Sequence, residues 1–315
     1  MHVVTIGNFD GVHEGHRALI ARARQVAPTG GTPARVTAVC FQPLPGEILN
    51  PAQEPGRLQS PLQRRACLRE SGVDEVVELA TTRELLATDP EDFIEDILER
   101  LSGAGVVGAF VEGPDFRFGK ARTGSIETLR QHGQRAGFEV QVVEEVSVRL
   151  NDGLLVEARS STIRRLLNLG RVEDAARMLG RPYRLSGEVV KGEQRGRDLG
   201  YPTANLLDGE QLLPGDGVYA ARVILPDETV LPAAVSIGTK PTFEPTARLL
   251  EAHVLDWDGP MDEYGWVMDV DLIRRLRGQE QYDGIEPLCE QIKRDCARTR
   301  EMVLRQYPEL VEDGR

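Results

Sequence analysis

The sequence predicts a parallel α/β domain followed by a small antiparallel β-barrel that carries a C-terminal helix. Three observations lead there. Over the first 180 residues, short β-branched runs alternate with helix-length amphipathic segments, the pattern of a parallel sheet with helices on both faces. Past Gly180, strand-length runs dominate, parted by turn clusters such as Pro214-Gly215-Asp216-Gly217, as in a compact barrel. Near the end, about 284–306, the apolar period becomes helical again. A length of 315 residues also favours two domains.

Taken in order, Val3–Ile6 is apolar and strand-length, and Glu14–Val26 has helical periodicity. The same pair recurs at Val36–Phe41 with Pro61–Ser71, at Val73–Leu79 with Pro90–Leu101, and at Val106–Val111 with Ser125–Ala136. Phe138–Val143 closes the series, before two short helical pieces near 160–169 and 172–179. Ligands of such sheets sit beyond the carboxyl ends of the strands. Arg181-Pro182-Tyr183 reads as a hinge between domains 1–180 and 184–315. Strand patterns follow at 184–191, 217–225, 230–237, 249–255 and 265–272, and the final helix aligns Ile285, Leu288, Ile292, Cys296 and Val303 on one stripe.

A net charge of −12 argues against a nucleic-acid binder, which needs a basic face to displace counterions. It leaves room for a small anionic substrate held by local arginines and backbone amides. No apolar run approaches the roughly 20 residues that cross a bilayer, and no export signal is visible, so a cytoplasmic protein is expected. Cys40, Cys67, Cys289 and Cys296 form no CxxC pair and read as reduced thiols.

Two stretches carry chemistry. GNFDGVHEGH, Gly7–His16, places three glycines and two histidines directly behind the first strand. A helix N-terminus after such a turn aims backbone amides at a phosphate. Two imidazoles there can stabilise charge that develops when an α-phosphate is attacked. A zinc pair would need a third ligand, and a merely polar turn stays open. GxGxxG at 103–108 follows a helix and precedes a strand, the wrong order for a dinucleotide fingerprint. In Gly113–Lys120, five residues separate the glycines, so this is no Walker A motif. The second stretch runs from Lys191 to Asn205 and holds three glycines and three cations in its first ten residues. It can wrap phosphate or be a solvated basic turn. Its ending, Pro202-Thr203-Ala204-Asn205, puts a hydroxyl and an amide on one side of an extended segment. Those are two hard oxygen ligands for one Mg²⁺, which completes its shell with phosphates and water.

On these residues the chain resembles the bacterial bifunctional riboflavin kinase/FAD synthetase (FMN adenylyltransferase) family. The resemblance implies a Rossmann-like HxGH nucleotidyltransferase domain ahead of the barrel. In it, His13 and His16 would contact ATP phosphates, and Gly7, Phe9, Asp10 and Gly11 would form the turn before them. Gly113–Gly119 resembles the GxDFRFG segment, which implies Asp115, Phe116 and Phe118 at the flavin end. Ser160-Ser161-Thr162-Ile163-Arg164 resembles SSTxIR, implying that Ser160, Ser161 and Arg164 meet the nucleotide phosphates. In the barrel, Lys191, Gly192, Arg195, Gly196 and Arg197 would bind ATP, with Thr203 and Asn205 on the magnesium nucleotide. Gly217–Ala220 resembles the GVYA strand, and Ile237–Phe243 the IGxxPTF element. Leu250-Glu251-Ala252-His253 resembles LExH and makes Glu251 the general base, although on its residues alone it is an outward-facing carboxylate. Arg277 falls on the flavin edge.

The implied function is ATP-dependent phosphorylation of riboflavin to FMN, then adenylylation of FMN to FAD with release of pyrophosphate. Riboflavin, FMN and ATP are the expected partners, with no nucleic acid and no membrane. Phe41-Gln42-Pro43-Leu44-Pro45 stands where the family carries an FEPHP-like stretch, and Arg159 where it has a serine. These departures leave open an alternative, a riboflavin kinase whose first domain is catalytically weakened or silent.

Overall fold

The structure, a computed structural model, describes residues 1–26, 34–53, 55–192, 194–208, 211–239, 248–260 and 263–312. It divides into two compact units. One comprises Met1–Pro55, Pro61–Val148 and Leu155–Arg159; the other comprises Gly56–Ser60, Arg149–Leu154 and Ser160–Arg315.

The first unit contains β1 (His2–Ile6), α1 (Glu14–Gln25), β2 (Arg35–Gln42), α2 (Pro45–Leu49), α3 (Pro61–Glu70) and β3 (Glu75–Ala80). It continues with α4 (Arg83–Leu86), α5 (Pro90–Ser102), β4 (Val107–Glu112), α6 (Ile126–Ala136) and β5 (Glu139–Val142), before a two-stranded ribbon of β6 (Ser147–Arg149) and β7 (Leu155–Glu157). β1 to β5 form one parallel sheet in the order β3-β2-β1-β4-β5. Strand side chains alternate between faces, which splits the core in two. Val3, Ala38, Ala109 and Val111 pack with Ile20 of α1 and Leu68 of α3. Val4, Val39 and Phe110 pack with Ile94 and Ile97 of α5 and Leu129 of α6. The chain winds outward from β1 to β3, then returns to the other side of β1 at β4. The crevice of such a sheet therefore opens where β1 and β4 end.

The second unit contains α7 (Ser160–Asn168), α8 (Val172–Leu179), β8 (Tyr183–Val190), α9 (Arg195–Asp198), β9 (Ala204–Asp208) and β10 (Gly217–Ile224). β11 (Val230–Thr239), β12 (Arg248–Val254), β13 (Val267–Arg277), α10 (Ile285–Gln306) and α11 (Glu309–Glu312) follow. The strands close into an antiparallel barrel, β10-β11-β12-β9-β8-β13.

Three features differ from the sequence expectations. The sixth barrel strand, β9, has no β-branched residue to announce it, and its pairing with β12 and β8 makes it a strand. β13 runs on to Arg277, because β10 pairs with it to that point. On α10, Ile285 is 62% exposed, whereas Asp295 and Thr299 are buried with Val303. The helix covers a cavity wall that carries an arginine, so a buried acid takes a place on the stripe expected to be apolar. Packing also parts the chain between Arg159 and Ser160, with α8 against β8 and β13. This division by packing is distinct from the functional boundary expected at 180–184. The Ile237–Phe243 element is described only as far as Thr239.

Phe110 is fully buried, with its ring centroid 4.7 Å from that of Phe138. Phe110→Ala should therefore destabilise the first unit by about 3–5 kcal/mol, read as an earlier urea transition in circular dichroism. A shift under about 1 kcal/mol would place this ring outside the working core.

Candidate active sites

In the first unit, the turn leaving β1 is strained where it is most buried. Phe9 and Val12 have φ values of 47° and 39°, in the left-handed region that side chains avoid, and Gly11 has 91°. Both side chains are fully buried, so core packing holds a conformation costing on the order of 1–3 kcal/mol per residue. Arg64, only 3% exposed, pins the turn to the end of β2. Its guanidinium donates to Asn8 O at 3.2 Å, Phe41 O at 3.0 Å and Gln42 Oε1 at 3.1 Å. Gln42, one of the departures from the family pattern, is thus an anchor for that arginine, and Leu44 is buried.

The turn delivers His13 to the N-cap of α1 in an extended conformation. His13 and His16 stack, with ring centroids 3.7 Å apart and planes 23° apart. Gly15 lies between them. A Cβ there would meet His13 Cε1 and Nδ1 and Ala158 O at 3.1 Å, so glycine keeps the two rings together. The rings face a cavity of about 250 Å³, also lined by Gly7, Phe9, Asp115 and Phe116. Asp10 and Gly11 are buried in the turn and are not on its wall. Phe118 is 5% exposed and packs on Phe93 and Phe116, so it can act on the cavity only through Phe116.

Arg159, the second departure, stands on the wall and binds three carboxylates. Nη2 donates to Asp115 at 3.0 Å and also to Glu145, and Nε donates to Glu157 at 2.8 Å. The hydrogen bond between Glu145 and Glu157, with some burial, pushes the Glu145 carboxyl upward. Sequence reasoning missed Glu112. It ends β4, lies 1% exposed on the cavity wall, and accepts Ile6 N–H at 2.7 Å. Burial pushes its carboxyl well above the usual range, against that hydrogen bond. A charged residue closing an apolar strand was the available signal. Ser160, Ser161 and Arg164 open α7 in the second unit, where Arg164 Nε donates to Gly56 O at 2.9 Å.

In the barrel, strand register builds the site. Asn205 of β9 and Ser236 of β11 both pair with Glu251 of β12. Two cavities adjoin here. The larger, about 400 Å³, is lined by Glu251, Ser236, His253, Arg277, Tyr282 and Asp295, among others. The smaller, about 60 Å³, is lined by Asn205, Gly192, Arg197 and the chain's two tryptophans, Trp257 and Trp266. Gln194 and Thr203 lie on the walls of both. Gly192 packs against Asn205: a Cβ would fall 2.1 Å from Asn205 Nδ2. Gly196 accepts Tyr201 N–H at 2.7 Å, and its own Cβ would meet Tyr201 O at 2.4 Å. Lys191 is exposed. The side chain of Arg195 lies outside the described residues.

Arg277 is held by a partner that sequence reasoning did not name. Its Nε and Nη2 lie 2.9 Å from Asp295 Oδ2, and Gln291 donates to the other oxygen at 3.0 Å. The signal was an acid between Ile292 and Cys296 on the apolar stripe.

A model of the FAD synthetase family matches residues 1–152, and one of the riboflavin kinase family matches residues 179–303. The chain is 35% identical over 302 residues to the bifunctional riboflavin kinase/FMN adenylyltransferase of Escherichia coli (strain K12), covering 95% of this chain and 92% of that protein. This chain belongs to the bifunctional riboflavin kinase/FMN adenylyltransferase family. Relatives of the same description include those of Pseudomonas fluorescens, 37% identical, and Bacillus subtilis (strain 168), 32% identical. They cover 95% and 93% of this chain, and 92% and 90% of those proteins. A crystal structure described as a macrolide-efflux protein from Streptococcus pneumoniae superposes with a TM-score of 0.82 at 28% identity, covering 95% of this chain and 94% of that one. Among the described residues here, no helix is long and apolar enough to cross a membrane.

A riboflavin kinase/FMN adenylyltransferase makes FAD from riboflavin in two ATP-using steps, and this chain carries both activities. The alternative of a silent first domain falls away. Gly192→Ala would drive the Asn205 amide from its place. FMN formation should fall about tenfold or more, the effect of overpacking by about 1–3 kcal/mol. Conversion of supplied FMN to FAD should persist, and chromatography of the flavins separates the two outcomes.

Proposed function

We propose that each step has its own cavity, with adenylyl transfer served by residues 1–180 and phosphoryl transfer by residues 184–315. The observation that carries the kinase assignment is Thr203, which lies on the walls of both barrel cavities. A nucleotide in the smaller cavity would bring its γ-phosphate to the wall shared with the larger one. The isoalloxazine would occupy the larger cavity beside Arg277 and Tyr282, with the ribityl chain directed at Glu251. Glu251 would then take the proton from the terminal hydroxyl as that oxygen attacks the γ-phosphorus, the bond to the β,γ-bridging oxygen breaks and ADP leaves.

Magnesium fits this donor set. Thr203 and Asn205 offer hard oxygens from one extended segment, and the space that a Gly192 Cβ would fill is occupied by the Asn205 amide. Mg²⁺ there would neutralise phosphate charge. Gly192, Gly196 and Arg197, with Lys191 and Arg195 by resemblance, would surround the phosphates.

In the first unit, His13, His16 and the N-terminus of α1 would bind the ATP phosphates, while Asp115 and Phe116 would meet the flavin. A phosphate oxygen of FMN would attack the α-phosphorus as its bond to the bridging oxygen breaks and pyrophosphate leaves, and the imidazoles would stabilise the negative charge that develops on the phosphate oxygens. Contact of Ser160, Ser161 and Arg164 with phosphate rests on the sequence resemblance. The four cysteines are free thiols, which suits the cytoplasmic location we also propose.

His16→Ala should lower conversion of FMN to FAD by about 100-fold or more while FMN still forms from riboflavin, the scale of losing one transition-state charge stabiliser. Equal loss of both steps in a folded variant would sink the two-site reading. Glu251→Gln should do the reverse, lowering FMN formation by about 100-fold or more, within the range of general-base catalysis. Retained kinase turnover in that variant would assign the proton to another acceptor.

A further inference from the structure

His253 sits on β12 two residues beyond Glu251, on the same side of the strand, and both line the larger barrel cavity. Its Nδ1 lies 2.7 Å from the carbonyl oxygen of Pro202. A carbonyl can only accept, so Nδ1 carries the proton in this contact. Tyr201 packs on the imidazole, with ring centroids 5.4 Å apart in a T-shaped arrangement.

The place of this hydrogen bond in the strand pairing gives it meaning. β9 pairs with β12 at Leu206↔Leu250, Asn205↔Glu251 and Ala204↔Ala252, and there the ladder stops. One step further in the same register, Thr203 would stand opposite His253. Thr203 is therefore the first residue beyond the backbone ladder, on the wall of both cavities. The carbonyl of Pro202, one residue before it, is the next fixed point, and the imidazole fixes it. Thr203 is clamped on both sides: through Ala204 by the ladder and through Pro202 by His253.

We propose that His253 is the positioning residue for the nucleotide end of the kinase site: by donating Nδ1–H to Pro202 O, it sets Thr203 in register with Asn205 and Glu251. The inference rests on the reading that Thr203 holds the magnesium nucleotide. It assigns His253 no contact with substrate and no proton transfer. The flavin end of the cavity, held by Arg277 with Asp295, does not depend on it.

The test is a set of variants in the full-length protein, with steady-state kinase kinetics and riboflavin affinity by flavin fluorescence. His253→Ala removes the donor. It should raise the KM for magnesium ATP about tenfold, the size of one lost hydrogen bond to a positioned group, with a much smaller change in riboflavin affinity. His253→Asn places an amide N–H near the position of Nδ1 and should restore most of the ATP affinity. His253→Gln, which keeps a polar side chain but carries its N–H further out, should not. If His253→Ala fails to fold, the Asn and Gln pair still decides. An unchanged KM in His253→Ala, or Asn and Gln variants that behave alike, overturns the proposal. Thr203→Ala is the control. A loss of ATP affinity there, beside a normal His253→Ala, defeats the positioning role alone; an unchanged Thr203→Ala defeats the metal-nucleotide reading and the positioning role with it.

Discussion

A closed barrel has no free edge at which a strand can slip, and the kinase site we propose depends on that constraint. Glu251 lies on β12, between β9 and β11, and its cross-strand partners are Asn205 on one side and Ser236 on the other. A one-residue slip of β12 would turn Glu251 to the opposite face and break both pairings. Closure forbids the slip unless every other ladder gives way. The side chains that need to converge are therefore placed by backbone hydrogen bonds before any ligand arrives. What the ladder does not reach is supplied by side chains: Arg277 by Asp295, and Pro202 by His253.

On the proposed reading the first unit meets a different problem, that of holding polyphosphate in a chain with a net charge of −12. Its cavity wall carries Glu112, Asp115, Glu145 and Glu157. Arg159 binds three of these, and burial favours the neutral form of the fourth. The single guanidinium offsets one carboxylate charge and a neutral Glu112 adds none, so the wall is less negative than four ionised carboxyls would make it. Two other groups favour anions directly, the stacked imidazoles and the N-terminus of α1. The left-handed Phe9 and Val12 sustain this arrangement, since they are what bring His13 to the N-cap position. Their strain is held by full burial and by Arg64 underneath.

Much of this was legible because period and motif agree. Val3–Ile6 and Glu14–Val26 match β1 and α1 nearly residue for residue, since a β-branched run and a helical stripe leave little choice. PTAN and LExH pointed to two segments, and the barrel joins them as neighbouring strands. Illegible features shared a cause, namely that tertiary contact overrode local preference. Ala204–Asp208 is a strand only because it has strands on both sides. Ile285 lies on the right stripe yet stands exposed, while Asp295 occupies a buried position because Arg277 needs a counter-charge. Glu112 looked like the end of a strand, and only the neighbouring Ile6 N–H and the cavity give it significance. Arg159 read as a departure from a motif, and its three carboxylates, from separate segments, make it part of a wall.

The most direct test of two separately built cavities is a paired time course on the unmodified protein with ATP and MgCl₂, one tube started from riboflavin and the other from FMN, the flavins being separated by chromatography. FMN should rise before FAD in the first tube, and FAD should form without a lag in the second. FMN as the sole product of the first tube, with nothing new in the second, would contradict the two-cavity reading.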